Sequence, residues 1–169
     1  MPCLKVHFYN PKKDTEGVWN KLVSYLDPPY CHCEIEFLQG LACAVYINGA
    51  VHMKRRQFDT AFYDCVSIPC STAAYDQALA YCSRRSEEKQ RFSLSMMLAT
   101  KFAPIGYLRY SSTGTFCSKI CAEALQEACV LSSDISARRI TPSGLHALLT
   151  QPADAEHHAG PIAPLDFAV

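Results

Sequence analysis

The sequence predicts an α+β fold, an antiparallel sheet of about four to six strands with helices packed against it. Three observations carry that expectation. Short β-prone runs crowd the first half of the chain, an Asn48-Gly49 pair separates two of them, and the second half has apolar residues at helical spacing.

Each element follows in order. Leu4 to Tyr9 alternates as a first strand, and Asn10 to Asp14 is polar and turn-like. Val18, Trp19, Leu22, Val23 and Leu26 fall on one face of a helix over Glu16 to Leu26, which Asp27-Pro28-Pro29 stops. Tyr30 to Phe37 reads as a strand. Ala42 to Ile47 and Ala50 to Lys54 form a hairpin around Asn48-Gly49, a pair suited to a turn whose two central residues take positive φ. Phe62 to Ile68 is a further strand closed by Pro69. Thr72 to about Lys89 is helical, with Ser71 or Thr72 as N-cap and Tyr75, Leu79 and Cys82 on one face. Phe92 to Phe102 is a second helix ended before Pro104. Cys117 to Cys129 is a third, whose buried stripe runs Cys117, Ile120, Cys121, Ala124, Leu125 and Ala128. Thr141-Pro142-Ser143 opens a last short helix, Gly144 to Leu149. Residues 1–150 are expected to form a single domain, with 151–169 as a C-terminal tail.

Composition narrows the class. The chain has 169 residues, 49% of them apolar and 19% charged, which is a globular balance. Sixteen basic and sixteen acidic residues cancel, so charge gives no reason to expect nucleic acid as a partner. Lys54-Arg55-Arg56 and Arg84-Arg85 read as solvated surface. Nothing resembles a signal peptide, and no apolar run is long enough for a transmembrane segment. Ten cysteines without a leader read as reduced thiols, without disulfides, in a cytoplasmic compartment. Cys31, His32, Cys33, Cys65, Cys70, Cys117 and Cys121 are soft donors, yet none are spaced as a zinc site requires, so no metal is expected. The seven glycines are scattered and build no phosphate loop. No Gly-x-Ser-x-Gly elbow is present, and no cofactor is expected.

The chemistry centres on Cys117. A small polar run, Ser111-Ser112-Thr113-Gly114-Thr115, leads into it, and it opens an apolar-faced helix. A helix start favours a thiolate, and its N–H groups suit an oxyanion. Core cysteine is the competing reading in a chain with ten. His32 lies in Cys31-His32-Cys33-Glu34-Ile35-Glu36-Phe37, where strand alternation puts His32, Glu34 and Glu36 on one face. A base near a helix-start thiol is the arrangement that activates a cysteine nucleophile.

His32-Cys33-Glu34-Ile35, then a hairpin, then Phe116-Cys117-Ser118-Lys119-Ile120 and Thr141-Pro142-Ser143-Gly144-Leu145 form a series. It resembles the circularly permuted, papain-like branch of the NlpC/P60 superfamily, in which histidine precedes cysteine. Members often show His-x-x-Ile or His-x-Glu-Ile, then Cys-Ser-Glu-Leu, then Thr-Pro-Ser-Asp-Leu. Lys119 and Gly144 depart from that pattern. The resemblance implies a permuted papain-like thiol hydrolase, with Cys117 as nucleophile and His32 as base. A third polar residue would orient the imidazole, His52 from the hairpin or else Glu34 from the same strand. The implied reaction cleaves an amide, peptide or isopeptide bond through a thioester, with a peptide, protein or acyl ester as substrate. The related lecithin–retinol acyltransferase group implies an alternative, an acyltransferase or lipid esterase, for which Met96-Met97-Leu98 offers a membrane-docking segment, though core packing explains those residues as well. An inactive domain kept for interaction is the third reading.

Overall fold

The computed structural model describes residues 1–11, 28–99 and 114–151. The expected helix over Glu16 to Leu26 and the tail beyond residue 151 lie outside the described residues. The architecture is α+β. Strands β1 (Cys3–Tyr9), β2 (His32–Glu36), β3 (Leu41–Ala44), β4 (His52–Arg55) and β5 (Tyr63–Pro69) form one antiparallel sheet. Its order is β4-β3-β2-β1-β5. Helices α1 (Thr72–Glu87), α2 (Leu94–Ala99), α3 (Cys117–Glu127) and α4 (Pro142–Thr150) follow.

Alternation fixes which face meets the helices. Leu4, Val6 and Phe8 on β1 and Cys33 and Ile35 on β2 are buried in one cluster with Ile120, Cys121, Ala124 and Leu125 of α3 and Ala78 and Cys82 of α1. Each large apolar side chain buried this way contributes roughly 1.5–3 kcal/mol. The intervening residues, His7 of β1 and Glu34 of β2, pair across the strands on the opposite face. Glu34 is buried there all the same, with 0% exposure.

Capping follows the sequence. The Ser71 hydroxyl accepts from the Ala74 N–H at the start of α1, and Thr141 Oγ1 accepts from the Gly144 N–H at the start of α4, with Pro142 in the first turn. Ser143 Oγ then accepts from the Tyr30 N–H at 3.2 Å, so α4 anchors the chain just before it enters β2.

The hairpin differs from expectation. Asn48 takes φ +63°, but Gly49 does not have positive φ, and the Gly49 N–H donates to the Tyr46 carbonyl at 2.9 Å. The strands end at Ala44 and resume at His52, leaving a wider connection. The reason is tertiary. The Val51 N–H donates to Gln90 O, and the Phe92 N–H donates to Gly49 O. Residues 90–93 therefore hold the connection open instead of starting the helix expected from Phe92. They also pair with Thr115, which donates to Arg91 O and accepts from the Ser93 N–H. One short segment thus ties the β3–β4 connection to the approach to Cys117. Gly114 is needed in that bracket, because a Cβ there would come within 2.3 Å of the Ser93 Cβ.

Candidate active site

Cys117 is the first residue of α3 and is 5% exposed. Its helix starts at Phe116, which supplies no side-chain cap, so the first-turn N–H groups carry no capping bond from that residue. The flanking residues hold the turn from behind. Ser118 Oγ donates to Ile140 O at 2.8 Å, and Lys119 Nζ donates to Gly114 O at 3.0 Å. Lys119 also pairs with Glu123 at 3.7 Å, and Glu123 accepts from the Tyr81 hydroxyl. Lys119 is thus a buried brace that ties Gly114 to the first turn of α3.

His32 and Cys117 line one pocket of about 390 Å³. Tyr9, Tyr46, Tyr63, Phe92 and Met97 are among its other walls. The pair perturbs itself in the sense a nucleophile requires. Hydrogen bonding from the Cys33 thiol, then the charge and hydrogen bond of His32 and the Cys33 N–H, hold Cys117 well below the ordinary thiol value against the opposing effect of burial. Burial alone would push His32 down. The Cys117 charge and hydrogen bond, followed by Glu34, outweigh it and raise the imidazole to about 9. Cys33 is pushed well above the thiol range, by burial first, and so keeps the proton it donates. Cys31, also on the pocket wall, is raised to about 12 by burial and the Cys117 charge.

Of the two residues expected to orient His32, the structure brings Glu34 to it. His32 Nε2 stands 3.4 Å from Glu34 Oε1, without the alignment of a full hydrogen bond. His52 is not in that position. Its Nδ1 contacts the Ala50 carbonyl at 3.2 Å, and its ring stacks on Tyr46 at 5.4 Å. Tyr46 in turn stacks on His32 at 4.8 Å. His52 comes from β4, and β3 with the Tyr46 that follows it intervenes in the sheet. The next-strand position is therefore taken by an aromatic ring.

Two residues of the site are new relative to the sequence reading. The Tyr46 hydroxyl donates to Glu34 Oε1 at 2.7 Å, and the Arg56 guanidinium donates to the same oxygen. Arg56 ends the basic run Lys54-Arg55-Arg56, whose charge alone predicts solvated surface. Lys54 and Arg55 are indeed exposed, but Arg56 is half-buried and turned inward. No local signal separates the third basic residue from its two neighbours.

No protein-family model, no curated protein and no solved structure matches this chain. The site therefore rests on its own geometry: an α+β fold with a helix-start thiol and a strand imidazole in one pocket and a buried carboxylate beside the imidazole. Among the described residues no helix is long and apolar enough to cross a membrane, and no group of three or more His, Cys, Asp or Glu side chains is placed to hold a metal ion.

Proposed function

We propose that this chain is a cysteine-nucleophile hydrolase acting on an amide, peptide or isopeptide bond. The observation that supports it is the opposed perturbation of one pair in one pocket, a depressed thiol and a raised imidazole. The Cys117 thiolate attacks the substrate carbonyl, and the C=O electron pair moves to oxygen. N–H groups at the start of α3 receive that oxyanion. Collapse expels the leaving amine, which takes its proton from the His32 imidazolium, and a thioester remains. Neutral His32 then removes a proton from water, the hydroxide displaces the thiolate, and the pair is restored. With Nε2 turned to Glu34, Nδ1 is the nitrogen left for the thiol and the leaving group.

An acyl acceptor other than water would make the same chemistry an acyltransferase or lipid esterase. The pocket wall favours keeping that second reading, since Val45, Ile47, Phe92 and Met97 offer apolar surface to an acyl group. Ten thiols without a disulfide fit a reducing compartment such as the cytoplasm. The direct experiment is alkylation of the folded protein with limiting iodoacetamide at neutral pH, read by peptide mass spectrometry. Cys117 is expected to be modified first although Cys65 and Cys129 are more exposed. Preferential labelling of those two, with Cys117 inert, overturns the enzyme reading and leaves a binding domain.

A further inference from the structure

We propose that Arg56 and Tyr46 are positioning residues that keep Glu34 as a buried carboxylate anion facing His32, so that the imidazole is oriented from its own strand. This rests on the reading of Cys117 and His32 as a reacting pair. Glu34 has no solvent exposure. A carboxylate in that condition takes up a proton unless a cation or several donors hold its charge. Here both donors converge on Oε1, the oxygen nearest His32. The Arg56 guanidinium is itself held between two rings, 5.7 Å from the centroid of Tyr46 and 5.3 Å from that of Phe58. Stacking of this kind suits a planar, permanently charged group and not an ammonium. Tyr46 acts twice, since the ring that supplies the hydroxyl also lies against the His32 imidazole.

The result is a row of alternating charges: Cys117 thiolate, His32 imidazolium, Glu34 carboxylate, Arg56 guanidinium. The other titratable groups that feel Glu34 are His7 on β1, Tyr63 on β5 and Cys121 on α3. Each of these is displaced toward its neutral form, so Arg56 is the cation that balances Glu34 besides His32, on the same oxygen.

The test is an NMR titration of the His32 ring, assigned by the resonance lost in H32Q, in wild type, C117S, E34Q and R56Q. Wild-type His32 is expected near pH 9 and to fall in C117S. If instead it titrates at its ordinary value and ignores C117S, the reacting-pair reading fails. Given a responsive pair, R56Q is expected to lower His32 by about 1 pH unit or more, matching E34Q, because Glu34 then protonates. A purely structural Arg56 predicts the opposite sign: removing a cation from beside a still-ionised Glu34 leaves His32 unchanged or higher. That result, or an E34Q without effect, overturns the proposal while the pair stands. Should R56Q not fold, R56K decides by Cys117 alkylation rate at pH 7, and Y46F is read the same way. Each is expected to slow labelling about three- to tenfold, the worth of one hydrogen bond. Wild-type rates in both overturn it.

Discussion

Two imidazole–carboxylate–thiol groupings stand against the same sheet, and their titratable groups are displaced in opposite senses. Around His32 stand Glu34 and Cys117. Around His7 stand Glu36, with Oε2 at 2.5 Å from His7 Nε2, and Cys65, with Sγ at 3.9 Å from the same nitrogen. The residue types are identical, yet the two respond oppositely. His32 is raised and Cys117 depressed, while burial lowers His7 and raises Cys65. Two differences account for it. His7 offers one nitrogen to both partners, so the nitrogen that gives its proton to Glu36 has no lone pair for Cys65. At His32 the carboxylate faces Nε2 and leaves the other nitrogen. Cys65 also lies on a strand, whereas Cys117 opens a helix, a position whose backbone dipole favours a thiolate. Phe58, stacked on His7 at 3.7 Å, further seals the second group. The lesson is that a Cys, a His and a Glu within reach do not by themselves depress a thiol.

The largest expected effect breaks the reacting group outright. Cys117→Ala should lower turnover by about 10³-fold or more on any substrate found by screening, while costing about 1 kcal/mol or less of stability in a thermal melt. Cys65→Ala should leave turnover at wild type. Reversed outcomes would exchange the two groupings. Next in size is Glu34→Gln, expected to reduce turnover about 10²- to 10⁴-fold, as loss of an orienting carboxylate does in related arrangements. Glu36→Gln, its counterpart, should change turnover less than about twofold and cost roughly 1 kcal/mol of stability. Equal losses in the two variants would show that neither carboxylate orients a catalytic imidazole.

A smaller effect sharpens the contrast through pH. The reactive form needs Cys117 ionised and His32 protonated. Turnover should therefore rise across an acid limb well below the ordinary thiol value of 9.0 and fall across an alkaline limb near pH 9, where His32 loses its proton. A profile that only begins to rise near pH 9 would mean an unperturbed thiol. The smallest effect is His52→Gln, which should leave this profile in place and alter turnover by no more than about threefold, since His52 touches Tyr46 and not the reacting ring. A large loss there would return His52 to the role of orienting group.

The helix start at Cys117, the caps at Ser71 and Thr141 and the strand alternation around His32 are legible from local spacing and residue chemistry. Each depends on residues within one or two turns or on a period of two. Even the sharing of one face by His32 and Glu34 is readable that way. That Glu34 and not His52 stands beside His32 is not. It depends on β3 lying between β2 and β4, and on residues 90–93 drawing the connection open so that Tyr46 meets His32.

Sequence by itself therefore determined most strands, the helix starts at Thr72, Cys117 and Pro142 and the antiparallel α+β class, because helix and strand periods are properties of neighbouring side chains. Tertiary structure alone decided that Glu34 is buried, that Arg56 turns inward while Arg55 stays in solvent, and that His7 and His32 differ in fate. Burial and charge pairing are set by which distant segments close over a strand. Arg56 follows β4 and Tyr46 follows β3, and only the folded sheet brings both to one carboxylate oxygen on β2.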